Sequence, residues 1–311
     1  MNRAVATGIL IFTALIWGLA FIPQKTAMDV MGPLSFMAAR YILGGLAILP
    51  LVLWERRRNR TPLTSRDRQV LALMVFAMLA GSWLQQVGLI HTTATNSGFL
   101  TGLYVIFVPL ILLAVLRRRP HPIVWIGAPL ALFGIYLLNG GRFDGLNVGD
   151  AYIIACALFW AVQVITLGML AQRTGRPIFV SAAGFLAIGV ISAGGALAFE
   201  TVSLEAYRLG WIEIAYAAFF ATAIGFTFQA IAQQHVPPAN AAIIMSAEAL
   251  FAALAGALLL GERLSPIGYA GAALIFAAIV LVEAVPVWRR RAPDQSAEAT
   301  RVKTVERQTT I

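Results

Sequence analysis

The chain has 311 residues, 59% hydrophobic and only 12% charged, whereas a soluble domain carries about a quarter charged residues and roughly half apolar ones. The excess of apolar residues is too large for a water-soluble core, and it falls into long uncharged runs, each near the ~20 residues that cross the hydrocarbon of a bilayer. The net charge of +9 would suggest nucleic acid in a soluble protein. Here the basic residues sit in short loops between apolar runs, where they orient a chain in the membrane, so no nucleic-acid partner is expected.

Ten membrane spans follow in order: residues 4–22, 33–54, 70–90, 97–116 and 122–138, then 150–171, 177–199, 212–233, 239–260 and 266–288. The first run begins after Met1-Asn2-Arg3 as a signal peptide would. It continues without a small-residue cleavage site to Gln24-Lys25, and is expected to be retained as the first helix. Spans that open with proline, as at Pro33 and Pro177, use a residue whose missing N–H has no partner in the first helical turn anyway. The single cysteine, Cys156, lies in an apolar run and permits no intramolecular disulfide. Residues 289–311 form a polar tail expected to be disordered and cytoplasmic.

Orientation comes from the basic residues of the connecting segments. With the N-terminus inside, the inner segments hold 18 Lys and Arg, including the arginines from Arg56 to Arg68 and Arg117 to Arg119. The outer segments hold four: Lys25, Arg142, Arg208 and Arg263. Both termini are therefore expected in the cytoplasm.

An internal repeat organises the spans. A shift of 144 residues, the separation of Gln85 from Gln229, also lays Phe76 on Phe220, Gly81 on Gly225, His91 on His235, Asn96 on Asn240 and Pro122 on Pro266. Pro33 falls on Pro177 at the same shift, and Trp17 on Trp160 at one residue less. Matching Gln, His, Asn and Pro pairs at one offset argue against chance. The expected domains are residues 1–145 and 146–288, each of five helices. An odd number of spans per repeat gives the two copies opposite orientation, the inverted arrangement on which many secondary transporters are built.

Phe12-Thr13-Ala14-Leu15-Ile16-Trp17-Gly18 resembles the opening of EamA-type members of the drug/metabolite transporter superfamily. Residues 246–265 resemble that family's ninth helix and its Gly-Glu-Arg turn, here Gly261-Glu262-Arg263, and the likeness runs on into Gly271 and Leu274-Ile275. The chain departs from the family at Glu248-Ala249, where Glu-Pro is frequent, and at Arg118-Arg119, where the first-repeat turn would read Glu-Arg. The resemblance implies an all-α membrane protein of ten helices around a central cavity. It implies alternating-access export of small metabolites across the bacterial inner membrane, with bacterial exporters of aromatic and other amino acids the most similar and drug exporters the alternative.

Polar groups inside spans are costly and so mark candidate sites. Glu248, near the middle of the ninth span, either binds a substrate ammonium or a proton, or bridges helices through hydrogen bonds. Tyr104 is its repeat partner. Gln85, Gln229 and Gln163 offer amide donors and acceptors to a polar substrate, or to neighbouring helices. Trp17 lies on one face with Phe21 and Gln24, and Trp160 does so with Gln163. These tryptophans either wall a cavity for apolar side chains or face lipid. Arg40, inside the second span, either holds a substrate carboxylate or is structural, snorkelling to the interface or pairing with a helix-end carbonyl. Gly98-x-x-x-Gly102 marks close helix packing. His91, His121 and His235 are too scattered for a metal site. Phosphate-loop, HExxH and GxSxG motifs are absent, so no cofactor, metal or enzyme activity is expected. A channel and an intramembrane enzyme remain as other classes. The partners are a small-molecule substrate and the bilayer, and nothing in the sequence specifies an oligomeric state.

Overall fold

The structure is a computed structural model that describes residues 1–138, 140–141, 147–259 and 265–291. Among the described residues every regular element is helical. In chain order these are α1 (Arg3–Ala27), α2 (Pro33–Ala47), α3 (Leu49–Arg58), α4 (Ser65–His91), α5 (Ala94–Thr101), α6 (Tyr104–Ala114) and α7 (Val124–Leu138). There follow α8 (Val148–Thr174), α9 (Pro177–Phe199), α10 (Leu204–Leu209), α11 (Trp211–Ala215), a π-helical segment (Tyr216–Phe226), α12 (Thr227–Ala232), α13 (Pro238–Met245), α14 (Ala247–Leu259) and α15 (Pro266–Arg291).

Among the described residues eight stretches are long and apolar enough to cross a bilayer: Arg3–Ala27, Ser65–His91, Asn96–Ala114, Val148–Thr174, Pro177–Phe199, Trp211–Ala232, Pro238–Ala255 and Pro266–Ala284. The expected second span is broken. Its two helices, α2 and α3, meet at Ile48 with a 43° bend, and counting the pair as one span makes nine. The cause is Pro50, which lacks an N–H for the helical ladder and whose ring crowds the preceding turn. The expected fifth span is helical over only 15 residues, about 22 Å at 1.5 Å per residue, against ~30 Å of hydrocarbon. Residues 289–291, expected in the tail, close α15 instead. The rest of the tail, the Gly261-Glu262-Arg263 turn and Arg142 lie outside the described residues.

The main helix pairs are α4 with α8, α2 with α9, α7 with α15 and α1 with α14. The α2–α9 pair is clasped at both ends. Glu55, in the last turn of α3, accepts hydrogen bonds from the N–H groups of Ile178 (3.0 Å) and Phe179 (2.7 Å). Glu200, just past α9, accepts from the N–H groups of Leu34 and Ser35 (2.8 Å each) and from the Ser35 hydroxyl (2.7 Å). Both receiving helices begin with proline, so the first free N–H groups are the two that follow it, and a carboxylate takes both. Negative charge at a helix N-terminus adds favourable electrostatics. Glu200→Ala is expected to cost ~1–2 kcal/mol, as loss of a helix cap does. It should lower the thermal unfolding midpoint in detergent, with Glu200→Gln recovering part of the loss; an unchanged midpoint in the alanine variant would show that water replaces the clasp.

Further ties hold the bundle at its ends. Arg3 meets Glu283 at 2.8 Å, and Thr7 donates to the same carboxylate at 2.9 Å. Asp67 pairs with Arg173 at 3.0 Å. Asp150 accepts from Thr92 and Asn96, both at 2.8 Å. Lys25 donates to the carbonyls of Leu89 and Ile90, closing α1 over the end of α4.

Candidate functional site

The site begins where α1 lies on α14. A Cβ on Gly18 would stand 2.6 Å from the Glu248 carbonyl oxygen and 2.7 Å from the Phe251 Cβ. Only glycine allows that approach, and it brings the neighbouring Trp17 to the level of Glu248. On its other side Trp17 rests where Gly225 has no side chain, since a Cβ there would lie 2.6 Å from the indole nitrogen. That nitrogen donates to the Ala221 carbonyl at 3.0 Å, inside the π-helical segment. Such segments run i→i+5 hydrogen bonds and recur at functional sites.

Phe226 joins the two tryptophans. Its ring is 4.7 Å from that of Trp17 and is stacked on Trp160 at 5.6 Å and 21°. Trp160 is fixed in turn by Gln85, whose side-chain oxygen accepts from the indole N–H at 2.8 Å. The three rings come from α1, the π-helical segment and α8, and they wall one cavity.

Six of the seven residues singled out as substrate-binding border this cavity: Trp17, Gln85, Tyr104, Trp160, Gln163 and Glu248; Arg40 borders it too. Gln229 does not. It is 0% exposed and pairs with Gln163 behind the cavity wall, at 3.1 and 3.4 Å. Gln172, Gln233 and Gln234 continue the same side: they donate to the carbonyls of Gln233, Val164 and Ala171 and so tie α8 to α12 and the turn after it. Gln229 thus belongs to a glutamine seal beneath the cavity.

The structure also decides between alternatives left open by the sequence. Arg40 does not reach an interface; it is 4% exposed. The tryptophans face inward. Glu248 is 4% exposed, and its carboxyl group faces the Tyr104 hydroxyl of α6. Of the glycine pair, Gly102 is in tight contact with Ile135, where a Cβ would approach to 2.8 Å, while Gly98 has ordinary contacts of 3.5 Å and beyond. Among the described residues no three His, Cys, Asp or Glu side chains are grouped to hold a metal.

Several site residues are not singled out by the sequence. Phe226, Thr101, Val164, Ala221 and Met245 line the cavity, and Thr222 hydrogen-bonds Arg40. The glycines that the repeat matches, Gly81 and Gly225, signal the Trp160 and Trp17 rings that lie against them.

Residues 6–140 and 147–284 each match the family model described as the EamA-like transporter family. An "Uncharacterized transporter" of Archaeoglobus fulgidus is 32% identical over 274 residues, covering 88% of this chain and 84% of that protein. The "Uncharacterized inner membrane transporter YedA" of Escherichia coli K12 is 26% identical over 284 residues, covering 88% and 89%. The "Threonine/homoserine exporter RhtA" of the same organism is 29% identical over 171 residues, covering 52% of this chain and 54% of that protein. A solved crystal structure shares the fold with a TM-score of 0.75 at 19% identity, covering 94% of this chain and 100% of that one.

Proposed function

The chain belongs to the EamA-like transporter family, and we propose that it exports amino acids, aromatic and other, with similar small metabolites, across a bacterial inner membrane by alternating access. The observation that carries this reading is the cavity itself. Two tryptophans and Phe226 offer an apolar wall beside Gln85, Gln163, Tyr104 and Glu248, a pairing of apolar lining with a few polar fixing groups that suits a small polar molecule with an apolar side chain. The partial likeness to a threonine/homoserine exporter supports the substrate class.

In this reading the ten spans form two inverted repeats, residues 1–145 and 146–288, that rock against each other. The family match to two successive stretches and the reciprocal carboxylate clasps that tie α2 and α3 to α9 support the arrangement. Both termini lie in the cytoplasm, as the 18-to-four excess of Lys and Arg in the inner segments supports. The movement needs a substrate gradient or a coupled ion, and no nucleotide.

Proteoliposomes preloaded with unlabelled phenylalanine should accumulate labelled phenylalanine transiently above equilibrium, without ATP. A channel gives equilibration and no overshoot. Absence of counterflow for phenylalanine, threonine and other amino acids, with folded protein in the vesicles, would overturn the amino-acid reading.

A further inference from the structure

Arg40 is a buried cation whose partners are all neutral. Its Nε donates to the Thr222 hydroxyl at 3.2 Å and its Nη1 to the Gln24 side-chain oxygen at 2.9 Å. The guanidinium lies 4.9 Å from the centre of the Tyr41 ring and 5.7 Å from that of Phe36. Among the described residues no carboxylate oxygen comes within 4.0 Å of it. Gln24 is already committed, because its oxygen also accepts from Gln86 at 2.7 Å. The second terminal nitrogen, Nη2, forms no hydrogen bond to a described residue, and Arg40 borders the cavity.

A guanidinium held in a protein interior without a counter-charge is costly, and a single missing anion accounts for its retention. A planar fork with an unused edge matches a carboxylate in shape as well as in charge. The same cavity carries a carboxyl group, Glu248, beside the Tyr104 hydroxyl. It does not pair with Arg40, which is left without a counter-charge among the described residues.

We propose that Arg40 is the carboxylate subsite of the cavity, and that with Glu248 taking the ammonium it selects zwitterionic α-amino acids over amines that lack a carboxylate. This rests on the reading of the cavity as the substrate site. Arg40 binds the ligand's invariant end, while the aromatic wall accepts the variable side chain.

The test is calorimetric binding to the full chain in detergent, with three probes of one shape: L-phenylalanine, L-phenylalaninamide, which lacks the carboxylate, and 3-phenylpropionate, which lacks the ammonium. Wild type should prefer phenylalanine to its amide by ~10-fold or more, as a site with unpaired polar groups rejects an analogue that leaves them empty. In Arg40→Gln that preference should vanish, with phenylalanine falling to the level of the amide and the amide unchanged. Arg40→Lys should keep part of it. In Glu248→Gln the preference for phenylalanine over phenylpropionate should vanish instead. Arg40→Gln that keeps the wild-type preference overturns the subsite. So does equal loss of phenylalanine and amide, which would mark Arg40 as a structural tie, and so does a wild type that binds none of the three. Discrimination at Arg40 without counterflow would refute export and leave the subsite standing; counterflow with an indifferent Arg40→Gln would do the reverse.

Discussion

Replacing Glu248 by Gln is expected to lower counterflow of every amino-acid substrate by ~10-fold or more, the effect of losing about 1.4 kcal/mol of transport-competent binding. Gln has nearly the shape of Glu, so the contact of α14 with Gly18 survives and the variant loses only the capacity to ionise. Glu248 is buried on the cavity, and an ammonium is the feature that all amino acids share. Gln85→Ala should act differently. It leaves the Trp160 indole N–H without its acceptor, a part-buried hydrogen bond worth about 1 kcal/mol, and loosens the hold on the ring that stacks on Phe226. Large apolar substrates should suffer more than small ones. Wild-type rates in liposomes for both variants would show that substrate passes elsewhere.

The spans were legible because an apolar run near ~20 residues has one physical use, and the polar positions within them because each is expensive in hydrocarbon. Where helices break was not legible. Pro23, Pro109 and Pro129 sit inside α1, α6 and α7 without ending them, while Pro50 accompanies the 43° bend after Ile48. Neighbouring helices decide which proline is absorbed, and they are remote in sequence. The π-helical segment was equally hidden, since Tyr216–Phe226 reads as any apolar helix. Its wider turns hold more than 3.6 residues, so the face occupied by Gln229 cannot be counted from the start of the span. That is why Gln229 was placed with the cavity residues when it stands behind them. For Arg40 the sequence showed a charge inside a span, but its neutral partners Gln24 and Thr222 lie on other helices, and only their placement reveals that the charge is uncompensated.

Gly225→Ala and Gly81→Ala should have opposite consequences, although the repeat makes the two positions equivalent. At Gly225 an added Cβ would meet the Trp17 indole at 2.6 and 3.3 Å, too close to keep. The ring must leave its place, losing the hydrogen bond to the Ala221 carbonyl and the contact with Phe226. Loss of that part-buried hydrogen bond alone accounts for about 1 kcal/mol, and the displaced indole distorts the wall of the cavity. At Gly81 the nearest atoms are the Phe159 Cβ at 3.4 Å and the Trp160 ring at 3.5 Å, which is ordinary contact. Alanine there adds packing against Trp160 and gains up to ~1 kcal/mol of helix propensity over glycine. Gly225→Ala should therefore lower both the thermal midpoint and phenylalanine counterflow, with alanine counterflow less affected. Gly81→Ala should match or exceed wild type in stability and transport phenylalanine normally. Equal damage from the two substitutions, or none from either, would mean that Trp17 is not seated against Gly225 in the membrane. The aromatic wall would then have another geometry.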